Sequence, residues 1–152
     1  MQHGATESTK THGENGREID TFRTPAAKAW ANALAGEIIG AAIEVHRHLG
    51  PGLLESVYRA CLIQELGPRG VAHRQELPLP IHYKGLALNG GYRRDLLVED
   101  LVILELKAVQ RLEPIHQAQL LTYLRISGRW LGLLLNFNTD SLKSGLRRML
   151  NG

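Results

Sequence analysis

One cysteine, Cys61, is all the thiol this chain has, so an intrachain disulfide is excluded and a reducing, cytoplasmic setting is expected. Aromatic residues make up only 5% of the chain, too few for a broad stacking platform that grips single-stranded nucleic acid. The longest apolar runs, such as Leu131–Leu135 with one glycine inside, fall far short of a bilayer's width. The N-terminal text is polar and shows no apolar targeting segment. Charge of one sign is scarce as well, with a formal net charge of +3. Near the N-terminus Lys10, Arg17, Arg23 and Lys28 are balanced by Glu7, Glu14, Glu18 and Asp20. The basic excess gathers at the other end, where Arg125, Arg129, Lys143, Arg147 and Arg148 face only Asp140. Such an end suits phosphates and suits a solvated basic helix face equally well.

What is present is ordinary for a soluble globular protein: 43% hydrophobic and 22% charged residues in a length of 152. That length builds one domain with a sizeable core. Residues 1–25 read as a disordered arm, because Gly, Thr, Glu and His alternate there without apolar periodicity. The single domain then occupies residues 26–152.

Pro25 is placed to open a helix whose apolar stripe runs Leu34, Ile38, Ala42, Val45, Leu49. Gly50-Pro51-Gly52 stops it. A second helix over residues 53–66 is expected to turn Leu54, Val57, Cys61 and Ile63 inward, with Gly67-Pro68 as its end. The period then changes to two. Leu77, Leu79, Ile81 and Tyr83 alternate with Glu76, Pro78, Pro80 and His82, which predicts one strand, with the prolines marking a sheet edge or one unpaired stretch of ladder. Lys84-Gly85 and Asn89-Gly90 predict turns around a short strand at 86–88. Strands at 92–98 and 101–108 follow, the second apolar on both sides at its start and therefore central. Glu113-Pro114 opens a helix ended by Gly128, 130–137 reads as a buried strand, and Thr139 is expected to cap a last helix through Leu150. The order is α-α-β-β-β-β-α-β-α, an α/β domain with a mixed central sheet flanked by helices.

Charged residues interrupt the most apolar stretch. In 101–108, side chains 103, 105 and 107 share one face, so Glu105 and Lys107 project together from a strand whose other face is apolar. Sequences place charges there when they are paired or bind a metal. Asp95 stands on the preceding strand. A two-residue turn at Glu99-Asp100 would put Asp95 opposite Leu104, leaving Glu105 on the other side. Only a three-residue loop at 99–101, or a bulge, sets Asp95 opposite Glu105, with Cβ atoms about 5 Å apart. Two such carboxylates make a hard oxygen site suited to Mg²⁺, and Lys107 can then orient or deprotonate a water. An ion-pair network of structural purpose explains the same residues equally well. Glu55, one helical turn from Tyr58, is a third carboxylate, and Gln119 and Tyr123 are a further i,i+4 polar pair. Gln75 enters the first strand close by. His46 and His48 do not share a helical face and make poor metal partners; His116 lies one turn before Gln119. Cys61 reads as a small packed hydrophobe.

Asp95 followed by Glu105-Leu106-Lys107 resembles the D…ExK signature of the PD-(D/E)xK nuclease superfamily, whose fold is restriction-endonuclease-like. Gly52-Leu53-Leu54-Glu55-Ser56-Val57-Tyr58 resembles the motif of the GxxExxY proteins, a branch of that superfamily, and Gln119-x-x-x-Tyr123 is similar to a helix motif of RecB-type nucleases. The resemblance spans about residues 34–150. It implies Glu55, Asp95 and Glu105 as metal ligands, Lys107 as the catalytic lysine, and Gln119, Tyr123 and Tyr58 in support; Gln75 is a further supporting candidate from its place at the start of the first strand. Arg94 stands where the superfamily pattern has Pro before the aspartate. The implied cofactor is Mg²⁺, with Mn²⁺ as a substitute, and the implied activity is endo- or exonucleolytic hydrolysis of phosphodiester bonds. Nucleic acid is the implied partner, DNA favoured over RNA, with no membrane and with a homodimer left open. The rival expectation is a non-catalytic module that binds nucleic acid or protein and keeps the fold.

Overall fold

The computed structural model describes residues 21–88 and 93–152. The arm up to Asp20 and the Asn89-Gly90 turn lie outside the described residues. Helix α1 spans Pro25–Leu49 and α2 spans Glu55–Leu66. Strands β1 (His73–Pro78), β2 (Ile81–Tyr83), β3 (Leu86–Leu88), β4 (Arg93–Val98) and β5 (Val102–Lys107) follow. Helix α3 is Pro114–Ser127, β6 is Leu131–Asn136 and β7 is Leu146–Leu150. The main sheet has the order β1-β4-β5-β6-β7, with β5 and β6 parallel and the other neighbours antiparallel. β5 is therefore the central strand and β1 an edge, as the apolar run and the prolines predict.

The sheet divides two cores. Val102, Leu104 and Leu106 join Leu96, Val98, Leu133 and Leu135 beneath α1 and α2. Ile103, Leu97 and Leu134 pack against Leu120 and Leu124 of α3 on the other side. Gly132 permits the close approach of α3: a Cβ there would stand 2.9 Å from Leu120 Cδ1. Thr24 caps α1, its hydroxyl accepting from the Ala27 N–H at 3.1 Å. Phe22, counted with the arm in the sequence, packs against the core and lies 4.0 Å beneath the Arg129 guanidinium.

Three expectations are corrected. The alternating run at 76–83 is two strands: β1 joins the main sheet, while β2 leaves it to pair with β3. Prolines at 78 and 80 lack the N–H groups that one continuous ladder needs, and Lys84-Gly85, both at positive φ, close the separate hairpin. The fully buried face of α2 is Tyr58, Leu62 and Leu66; Cys61 and Ile63 pack against the core partly buried, as expected, while Leu54 is 73% exposed and Val57 38%. A tyrosine read as polar anchors that stripe through its ring. The predicted last helix is a 3-10 turn at Leu142–Gly145 followed by β7. Pairing from Leu131↔Leu150 to Leu135↔Leu146 satisfies the backbone of β6, which would otherwise face solvent as a long apolar edge. Gly145 packs onto the Asn136 carbonyl where a Cβ could not fit. Among the described residues no helix is long and apolar enough to cross a membrane.

Candidate active site

The β4–β5 hairpin turns through three residues. Its register pairs Val98 with Val102, Leu97 with Ile103 and Leu96 with Leu104. Glu99 and Asp100 take positive φ (51° and 57°), and the Leu101 N–H donates to the Val98 carbonyl at 2.9 Å. Continued by one step, this register sets Asp95 against Glu105.

There the backbone ladder gives way to side chains. The Asp95 N–H donates to Glu105 Oε1 at 3.2 Å, and the Leu106 N–H donates to Asp95 Oδ2 at 2.8 Å. Each carboxylate thus accepts from the backbone of the opposing strand, which fixes both at the end of the ladder. Glu105 is 7% exposed. Burial, and next the charge of Asp95, push its carboxyl up to about 8, against a smaller downward pull from the Asp95 N–H and Lys107.

Glu55 comes from α2. Gly50-Pro51-Gly52 ends α1, and the Tyr58 hydroxyl clamps that loop by donating to the Gly50 carbonyl at 2.5 Å and accepting from the Leu53 N–H at 3.1 Å. The Tyr58 ring is fully buried and stacked on Phe137 at 4.6 Å. Tyr58 thereby sets where α2 begins and where Glu55 points. Burial, followed by the charge of Asp95, raises the Glu55 carboxyl, while Lys107 and Arg59 lower it. Lys107 is half-buried, and its charge is felt by both Glu55 and Glu105. Its carbonyl accepts from the Phe137 N–H at 2.9 Å.

Two residues that sequence reasoning missed complete the arrangement. Arg59 Nη2 stands 3.1 Å from both Glu55 Oε1 and Asp95 Oδ1, tying α2 to the sheet. Its spacing from Glu55 was visible, since i,i+4 pairs are common on helices; its reach to Asp95, 36 residues away, was not. Asn136, 2% exposed, locks the loop after Lys107: its amide donates to the Val109 carbonyl at 2.9 Å, and Oδ1 accepts from Val109 N–H at 3.0 Å. A lone amide ending an apolar strand was the available signal.

Gln75 is exposed and pairs with Leu96, one step out of phase with Asp95. Gln119 and Tyr123 line a groove on α3 with Ile81, Ile115, Ala118 and Thr122. His116 completes a capping box, its Nδ1 accepting from Glu113 N–H at 2.9 Å. His46 is buried, with Nε2 2.8 Å from the Thr139 carbonyl. The side chain of Arg94 lies outside the described ones. The C-terminal bases do not form one free patch, because Arg129 pairs with Asp100 at 2.7 Å.

Against this geometry, the family model of the PD-(D/E)XK nuclease superfamily matches residues 32–149. The chain belongs to this superfamily. The match runs from within α1 to β7, and the three helices with a mixed five-stranded sheet are the α/β, restriction-endonuclease-like fold expected of a PD-(D/E)XK nuclease domain. Superfamily members are in general nucleases, and they typically use divalent metals on nucleic-acid substrates. No curated protein and no solved structure matches the chain.

The donor chemistry fits such a metal. Asp95, Glu105 and Glu55 offer hard carboxylate oxygens, and the Glu105 carboxyl is raised first by its burial and next by the charge of Asp95. Among the described residues, however, no three His, Cys, Asp or Glu groups are gathered closely enough to hold an ion as they stand. The Arg59 guanidinium lies between two of the three carboxylates.

Proposed function

We propose that this chain is a divalent-metal-dependent nuclease of the GxxExxY branch, hydrolysing phosphodiester bonds with Mg²⁺ or Mn²⁺. The observation that carries the reading is the three-residue hairpin loop, whose register places Asp95 against Glu105 beside Lys107. A regular two-residue turn would have separated them.

In this reading Asp95, Glu105 and Glu55 hold the metal, which when bound supplies Lewis acidity to an attacking water and screens the phosphoryl oxygens. Each chain residue has its own task. The opposing backbone N–H groups fix the Asp95 and Glu105 carboxylates, so little reorganisation remains for the reaction. Lys107, anchored through its backbone to β6, orients the water or takes its proton and steadies charge on the phosphate. Tyr58 holds the loop that aims Glu55, and Asn136 holds the loop that follows Lys107. Gln119 and Tyr123, on the α3 groove, support the site, and the substrate is nucleic acid, with DNA favoured over RNA.

A second reading draws on Arg59. A guanidinium already neutralising Glu55 and Asp95 suits a structural ion-pair network in a binding module that no longer cleaves. Incubation with single- and double-stranded DNA and RNA, in Mg²⁺, Mn²⁺ or EDTA, separates the two. Metal-dependent cleavage lost in Asp95→Ala and Lys107→Ala is expected; binding without cleavage under every metal supports the second reading instead.

A further inference from the structure

We propose that the Arg59 guanidinium is a built-in cation that competes with a divalent metal ion for Glu55 and Asp95. The inference rests on the metal-dependent reading above and adds a residue that governs how the site loads.

Arg59 Nη2 donates to Glu55 Oε1 and to Asp95 Oδ1 at 3.1 Å each, and its side chain is only 17% exposed. One nitrogen thus bonds to two of the three carboxylates that would hold a metal. Charge-assisted bonds of this kind are the strong ones, so releasing them opposes metal entry. The guanidinium is nevertheless incompletely seated. Arg59 Nε is buried and has no hydrogen-bond partner, and a buried donor left unpaired is unfavourable. The two carboxylates, and not a full socket, hold the side chain in place. A divalent ion taking those oxygens also repels the guanidinium, so the two cations exclude one another. Arg59 springs from the same helix as Glu55, one turn on, and its long side chain leaves without moving the backbone.

Calorimetric titration of Mn²⁺ into the full-length protein tests this, with wild type, Arg59→Met, Arg59→Lys and Asp95→Asn compared. Arg59→Met is expected to bind Mn²⁺ about tenfold or more tightly than wild type, since two charge-assisted contacts no longer oppose the metal. Arg59→Lys is expected to fall between them, because an ammonium lacks the planar fork. In EDTA, Arg59→Met is expected to melt below wild type, and Mn²⁺ is expected to raise its Tm by more. Should Arg59→Met not fold, Arg59→Lys carries the comparison. Wild-type binding that Asp95→Asn abolishes, but that neither Arg59 variant strengthens, overturns this proposal and leaves the metal-dependent reading intact. Absence of Mn²⁺ binding in every variant overturns both.

Discussion

Asp95 and Glu105 hold each other's strands: the Asp95 N–H donates to the Glu105 carboxylate, and the Asp95 carboxylate accepts from the N–H that follows Glu105. Two side chains replace one rung of the β4–β5 ladder, where the sheet would otherwise continue. The relationship couples fold to proposed chemistry, because the hydrogen bonds that end the pairing also aim the carboxylates.

The first prediction concerns pH. Glu105 titrates at about 8 in the folded protein against 4.5 ordinarily. Between those values the folded state keeps a proton that the unfolded chain releases, so its contribution to stability is full at low pH and lost as pH rises through 8. Glu105→Gln removes the charge and nearly keeps the shape. In EDTA it is expected to exceed wild type by on the order of 2 kcal/mol above about pH 8 and to converge with it near about pH 5. Chemical denaturation across that range measures the difference. A gap that does not change with pH would contradict the assignment.

Tyr58 supplies a second test. Tyr58→Phe keeps the stack on Phe137 but leaves the Leu53 N–H and Gly50 carbonyl without their partner. The expected loss is about 1–2 kcal/mol, whereas Tyr58→Ala also empties the buried ring site and loses about 3–5 kcal/mol. Equal losses in denaturant melts would mean that the hydroxyl does not secure the loop before Glu55.

Gly132 tests the packing of α3 on the sheet. With a Cβ only 2.9 Å from Leu120 Cδ1, Gly132→Ala is expected to lose roughly 1–3 kcal/mol through overpacking. Combined with Leu120→Ala, the second substitution should be less harmful than the sum of the two, since the methyl enters the vacated space. A double-mutant cycle with no coupling would place the contact elsewhere.

These elements were not equally legible in the sequence. Gly50-Pro51-Gly52, Pro114 and Gly128 carry their conformation in their covalent structure, so the ends of α1 and α3 could be read directly. The apolar run of β5 identified the central strand, and parity alone set Glu105 beside Lys107. What failed depended on distant partners. Leu142, Leu146 and Leu150 have helical spacing, yet the demand of β6 for a neighbour makes that segment a strand. Tyr58 reads as polar until Phe137 stands against its ring, and the phase of α2 was misjudged for that reason. The i,i+4 spacing of Arg59 from Glu55 is that of an ordinary helix pair; only the tertiary fold brings Asp95 within 3.1 Å of it. The carboxylate pair was legible as a condition on one loop, and the reach of Arg59 to Asp95 was not legible at all.

Single-turnover cleavage of a labelled DNA duplex in Mn²⁺ tests the central claim most directly, with wild type, Asp95→Ala and Lys107→Ala prepared side by side and EDTA as control. Cleavage by wild type that EDTA abolishes is predicted, with a fall of at least about 100-fold in the Lys107→Ala rate and no cleavage by Asp95→Ala. Cleavage that proceeds at the same rate in all three proteins, or none by wild type with any metal or nucleic acid, would contradict the account.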